Sequence, residues 1–195
     1  MKVCIVAEGC YPYVVGGVSG WINSLIRSFP NVEFILLAIV ANRSFRGKFV
    51  YELPPNVTEV HEVFLDDALR VKESGKMHHV FTEEEVESLK ELMLCKRPNW
   101  EILFRLYHEQ KINPMSFLKS EEFLNILTKC CLTEYPYTPF ADAFHTMRSM
   151  LLPVLYLMGS EVPKADVYHA LCTGYGGLLA CMRCYLYKKR VLLTY

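Results

Sequence analysis

Hydrophobic and polar positions give an α/β pattern near both ends of the chain. Continuous apolar runs over Val3–Ala7 and Glu33–Ala41 are typical of strands in a sheet that is covered on both faces. Between them, apolar residues from Ser19 to Phe29 recur at helical spacing and predict a helix. The alternation over Val57–Leu65 predicts a half-exposed or edge strand, and Phe49–Leu53 is predicted as a further short strand.

The middle of the chain, from about residue 66 to residue 164, shows helical patterns and no strand pattern. The helix signals are, in chain order, a capping box from Thr82 to Glu85, the run Trp100–His108, a cap at Ser120 before Glu121–Leu132, and Pro139 before a run that Pro153 should kink or end. About a hundred residues are too many for an ordinary connection between strands. We therefore expect one domain over residues 1–195, with a helical insertion at about 66–164.

The α/β pattern returns at the end of the chain. A strand is predicted at Val167–Cys172, followed by a glycine turn at Thr173–Gly177, a helix at Leu178–Tyr187 and a strand at Val191–Thr194. This repeats the strand, glycine turn and helix of the N-terminal region. The predicted fold class is α/β, with a Rossmann-like open parallel sheet whose glycine turns meet at one carboxyl edge.

Composition narrows the class of protein. The 195 residues include 21 lysine and arginine and 21 aspartate and glutamate residues, so the formal net charge is zero and nucleic acid is not expected as a partner. No signal peptide and no apolar run of membrane-spanning length is visible, which predicts a cytoplasmic location. The eight cysteines include one lone C-x-x-C pair, Cys181 and Cys184, without the second pair that a zinc site requires, so no metal and no cofactor is predicted.

The stretch from Glu8 to Trp21 holds the chemistry of greatest interest. A glycine turn before a helix offers backbone N–H groups and the positive end of the helix dipole to an anion. Gly16 and Gly17 are the candidate phosphate-binding glycines, with the amides of Val18 and Ser19. The alternative is a tight turn that serves packing alone. No phosphate-binding loop of the NTPase type and no G-x-G-x-x-G motif is present, which makes a nicotinamide-dependent oxidoreductase a weak rival.

Two segments resemble a known family. PelF-type glycosyltransferases, which are retaining family 4 enzymes of the GT-B fold, open with E-G-x-Y-P-Y-V-x-G-G-V-S-x-W, and Glu8–Trp21 matches that pattern. They also carry P-K-A-D-V-Y-H-A followed by T-G-Y-x-G, which matches Pro163–Ala170 and Thr173–Gly177. The resemblance covers almost the whole chain. It implies transfer of a sugar, a UDP-linked hexose, to a growing polysaccharide.

The resemblance also implies roles for particular residues. Those implied to bind the donor phosphates or the substrate are Glu8, Tyr11, Gly16, Gly17, Val18, Ser19, Thr173 and Gly174. His169 is implied as the catalytic residue that contacts the donor sugar. The alternative for a single histidine in an apolar strand is a hydrogen-bonded core residue.

Enzymes of the resembled family continue into a second Rossmann-like domain that binds most of the nucleotide. The expectation is therefore that this sequence is the N-terminal, acceptor-side half of such an enzyme, truncated and inactive alone. Its implied partners are the nucleotide-sugar, the polysaccharide acceptor, the second domain and a membrane-associated polysaccharide export complex. The alternative is a non-catalytic module that binds a sugar, a nucleotide or another protein.

Overall fold

A five-stranded parallel sheet is built from strands near both ends of the chain. The computed structural model describes residues 1–72 and 79–194. The strands are β1 (Lys2–Glu8), β2 (Glu33–Val40), β3 (Val57–Phe64), β4 (Val167–Ala170) and β5 (Arg190–Leu193). They lie in the order β3-β2-β1-β4-β5, and every neighbouring pair is parallel. The predicted α/β class with a Rossmann-like open sheet is confirmed, and β3 lies at an edge as its alternating pattern indicated.

Helices connect these strands and fill the middle of the chain. Those with α-helical geometry are α1 (Gly17–Ser28), α2 (Glu83–Met93), α3 (Trp100–Phe104), α4 (Pro114–Leu118), α5 (Glu121–Thr133), α6 (Phe140–Met158) and α7 (Tyr175–Tyr187). A π-helical turn, Arg105–Glu109, continues α3. No helix of the described residues is long and apolar enough to cross a membrane.

The chain divides into two compact units. One contains Met1–Asp67 and the stretch from Glu161 onward, which holds the whole sheet with α1 and α7. Its core joins fully buried residues of β1 and β2, such as Ile5 and Leu36, to Ile22 and Ile26 of α1. The apolar stripe of α1 thus packs on the continuous apolar runs of the strands, which is the arrangement that buries both patterns.

The second unit, Ala68–Ser160, is helical in its described part. Its helices begin at polar caps: the Thr82 side chain accepts from the amide of Glu85 in a capping box, and Ser120 accepts from the amide of Phe123. Helix α4 was not predicted, although Asn113 followed by Pro114 is a helix-start signal, and the Asn113 side chain caps it.

One local prediction was wrong, and one of the two alternatives predicted at Pro153, a kink or an end of the helix, is excluded. Phe49–Leu53 is not a strand, because its aromatic rings pack on the β1–α1 connection instead: Tyr51 lies 5.0 Å from Tyr11, centroid to centroid, and Phe49 lies 5.4 Å from Tyr13. Pro153 does not end its helix, since α6 continues to Met158. The residues after Pro153 include fully buried leucines, and this burial outweighs the hydrogen bond that proline removes.

Candidate functional site at the carboxyl edge of the sheet

The N-terminus of α1 presents backbone amides that no side chain caps. Gly16 occupies the N-cap position with extended backbone, and its carbonyl accepts from the amide of Gly20 at 2.8 Å. Among the described residues, no side chain caps this end and its first turn contains no acid. The amides of Gly17, Val18 and Ser19 have no partner inside the helix by geometry, so this end carries a positive potential suited to an anion.

The glycines of this turn are not required by the packing of the described residues. A Cβ built on Gly16, Gly17 or Gly20 meets no described atom within 4 Å, and none of the three has a φ in the left-handed region. Larger residues would therefore fit the domain without strain. The glycines leave the backbone open to close approach from outside, which is a property of ligand-binding turns.

Gly20 provides a direct test of this interpretation. Because Gly20 lies inside α1 with open space beside its Cα, replacement by alanine should raise the free energy of unfolding by about 0.5–1 kcal/mol through helix propensity. Urea denaturation of the wild type and Gly20→Ala measures this difference. A loss of stability would show that the space beside Gly20 is needed by the domain itself.

Two tyrosines anchor the segment between β1 and α1. Tyr11 is fully buried, and its hydroxyl donates to Oδ1 of Asn23 at 3.3 Å. The hydroxyl of Tyr13 donates to the Glu62 carboxylate, which also accepts the amide of Gly47. Burial, followed by these contacts with Glu62, raises the pKa of Tyr13. The structure thus places Tyr11, a predicted substrate-binding residue, beneath the loop as an anchor.

Glu8 links the end of β1 to the start of α7. Its Oε2 accepts the amide of Gly176 at 3.0 Å and the thiol of Cys172 at 3.0 Å. A Cβ on Gly174 would lie 3.1 Å from the same oxygen, so the glycine at this N-cap makes room for the carboxylate. The N-terminus of α7 is therefore already occupied by an anion of the chain, whereas that of α1 is not.

Thr173 and Gly174 remain exposed at this edge, and Cys172 is a participant that the sequence analysis missed. Cys172 is the last residue of the predicted strand and directly precedes the glycine turn. Burial, followed by the hydrogen bond to Glu8, raises the pKa of Cys172 and keeps the thiol protonated as a donor. In the sequence, Cys172 is only one apolar residue at the end of a strand pattern, and nothing in that pattern indicates its contact with Glu8.

His169 lies on β4, next to β1, with 7% of its surface exposed. Its Nε2 and Oγ1 of Thr194 are 2.9 Å apart and share a hydrogen bond. The indole of Trp21 from α1 meets the imidazole edge to face, with centroids 5.8 Å apart. Trp21 is 45% exposed, so it covers one side of His169 and presents its other surface to solvent at the end of α1.

The burial of His169 predicts a dependence of stability on pH. Burial lowers the pKa of His169 below its usual value of about 6.5. Below that value the unfolded chain binds a proton that the native chain resists, so this residue makes stability fall as the pH drops from 7.5 to 5.5. His169→Gln should show a smaller fall in Tm over this range than the wild type. His145→Gln, at an exposed position, is the control and should retain the full dependence.

The structure brings together the two segments that sequence reasoning singled out. The contacts of Glu8 with Gly176 and of Trp21 with His169 join the N-terminal glycine turn to the second one at neighbouring strands β1 and β4. Val14, Val15 and Val18 are exposed around the start of α1 and, with Trp21, give this edge an apolar surface. Glu8 and Tyr11 form side-chain hydrogen bonds within the chain, and a Cβ on Gly174 would crowd Glu8, whereas a Cβ on Gly16 or Gly17 would meet no described atom within 4 Å.

Comparison with known proteins finds a match to one protein family. No curated protein and no solved structure matches the chain. The model of one protein family matches residues 1–195, which is the whole sequence. The chain therefore belongs to the family described as domain of unknown function DUF3492.

Proposed function

We propose that the chain is the N-terminal, acceptor-side domain of a PelF-type glycosyltransferase of the GT-B fold. The family to which it belongs comprises N-terminal domains associated with glycosyltransferases. The reaction proposed is transfer of a hexose from a UDP-linked donor to a growing polysaccharide. The domain is inactive by itself in this proposal, because the second domain supplies most of the donor site. The sequence similarity of Glu8–Trp21 and Pro163–Gly177 to that family motivates the assignment.

The observation that carries the proposal is the open, uncapped N-terminus of α1. Departure of a nucleoside diphosphate needs donors aimed at the developing negative charge. The amides that follow Gly16 meet this need, and the glycines leave room for the phosphate oxygens to reach them. The other helix N-terminus at this edge, that of α7, is already paired with Glu8. We therefore assign the donor phosphates to α1 and a positioning role to Glu8.

His169 and Trp21 form the second element of the proposed site. The hydrogen bond between Nε2 and Oγ1 of Thr194 and the contact with Trp21 fix the imidazole of His169 in one orientation. Its lowered pKa keeps the ring neutral at physiological pH, which suits hydrogen bonding to a sugar hydroxyl rather than charge pairing. The exposed side of Trp21 adds an apolar surface of the kind that lines small-molecule sites.

Three measurements test the proposal. An immunoblot of the source cells with an antibody against this domain gives the mass of the native product, and a band tens of kilodaltons above 22.6 kDa is expected. Calorimetry with UDP-glucose and UDP-galactose should show at most weak binding to the 195-residue chain, and a UDP-release assay should show no turnover. The longer product should bind and turn over one of the donors. Tight binding of a sugar nucleotide to the short chain, without turnover by the longer product, would favour the non-catalytic binding module instead.

A further inference from the structure

A cavity lies at the amino-terminal edge of the sheet, opposite the candidate site. It has a volume of about 380 Å³ and is lined by the start of β1, the segment before β4 and the end of α7. Its lining includes Lys2, Lys164, Asp166, Arg183 and Lys189. The proposed sugar-transfer site lies at the carboxyl edge of the same strands. The cavity shares no lining residue with that site.

Arg183 is the unusual member of this lining. The residue is 6% exposed, and its guanidinium forms no hydrogen bond or ion pair with any residue that the structure describes. The ring of Tyr187, 4.5 Å from the guanidinium carbon, attracts the charge on one face. That contact leaves the N–H donors, which lie in the plane of the group, unused. A buried charge in this state is unfavourable unless a partner of opposite charge is present.

The rest of the lining also favours an anion. Lys164 and Lys189 are exposed and form no ion pair within the described part of the chain. The side chain of Asp166 accepts the backbone amide of Lys2 at 2.8 Å, and the Lys2 ammonium lies 3.7 and 3.8 Å from two carboxylates of the neighbouring strands. Four cationic and two acidic side chains line the cavity, counting Glu161, but the Lys2 ammonium already faces Glu33 and Glu59, so the remaining cations exceed the acids by one.

The position at the end of α7 does not explain Arg183. The C-terminal end of a helix favours cations, and this accounts for the exposed run Lys188-Lys189-Arg190. Arg183 lies a full turn before that end, and its Nε is buried without a hydrogen-bond partner among the described residues, which is unfavourable for a polar group. The residue therefore requires an explanation beyond the helix dipole.

We propose that this cavity binds the phosphate group of a small phosphorylated molecule, held by Arg183 together with Lys164 and Lys189. A phosphate monoester carries about −1.5 to −2 charges at pH 7 and presents three acceptor oxygens, which suits the three remaining cationic side chains of the lining. The planar fork of a guanidinium donates two parallel hydrogen bonds to phosphate oxygens.

Thermal unfolding of the 195-residue chain in inorganic phosphate tests the proposal. In 20 mM phosphate, compared with chloride of equal ionic strength, the Tm of the wild type should rise by about 2–5 °C. Arg183→Met keeps an unbranched apolar stem and removes the buried charge. Its Tm in chloride should equal or exceed that of the wild type, and its response to phosphate should be lost.

Controls separate specific binding from the general stabilising effect of phosphate. The exposed Arg97→Met makes the same change of charge elsewhere and measures the general effect, which is subtracted from every variant. The double variant Lys164→Met/Lys189→Met changes two exposed positions and should lose most of the response, which provides a readout even where Arg183→Met fails to fold. An equal phosphate response in the wild type and the double variant would overturn the proposal, as would an equal, Arg183-dependent response to 20 mM acetate.

Discussion

Gly17→Val should lower sugar transfer by about 10²–10³-fold in the proposed longer product, which would join this domain to a second, donor-binding domain. The expected loss is that of an oxyanion donor, because the valine methyl groups would occupy the space through which the diphosphate reaches the first amides of α1. A UDP-release assay with UDP-glucose or UDP-galactose measures it. Since phosphate contacts strengthen as the leaving group departs, the loss should appear mainly in kcat.

The domain itself should accept this substitution. A Cβ at Gly17 meets no described atom within 4 Å, and the residue opens α1 without a positive φ. Urea denaturation should therefore place Gly17→Val within about 1 kcal/mol of the wild type. This separates a lost ligand contact from a damaged fold.

Ser24→Val is the matched control for Gly17→Val. Ser24 lies on the exposed side of the same helix, away from its N-terminus, so the control adds the same side chain without approaching the proposed donor site. Its activity should equal that of the wild type. Full activity of Gly17→Val would refute the assignment of the donor phosphates to this turn, whatever the activity of the control.

The sequence predicted the sheet well because each strand carries its own pattern. The continuous apolar runs of β1 and β2 and the alternation of β3 reflect how many faces of each strand are covered, and this property is local. Phe49–Leu53 also has apolar residues, but its aromatic rings pack on Tyr11 and Tyr13. That choice depends on a loop some forty residues earlier, which no local pattern contains.

The candidate site was predicted in outline and not in its division of roles. Both glycine turns were placed at one edge, because parallel strands require it. The sequence did not indicate that Glu8 accepts the amide of Gly176 at the start of α7, since this contact joins residues 168 positions apart. Nor did it distinguish Gly174, whose missing side chain makes room for Glu8, from Gly17, whose missing side chain leaves open space.

Glu8 is expected to contribute most to the stability of this edge. Glu8→Ala removes the acceptor of the buried Gly176 amide and the negative charge at the N-terminus of α7. Loss of a charge-assisted hydrogen bond that leaves a buried donor unpaired should lower the free energy of unfolding by about 2–3 kcal/mol. Urea denaturation at pH 7 measures this loss, and the exposed Glu52→Ala should change stability by less than about 0.5 kcal/mol.

Glu8→Gln then separates the structural role from substrate binding. Glutamine keeps an oxygen that accepts the Gly176 amide and loses only the charge, so its stability should lie between those of the wild type and Glu8→Ala. In the longer product, a positioning role predicts that Glu8→Gln leaves the KM for the sugar nucleotide within about threefold of the wild type. A large rise in KM with unchanged stability would instead place the Glu8 carboxylate on the substrate, because a charge that contacts the donor affects binding directly, whereas one that anchors α7 affects it through the fold.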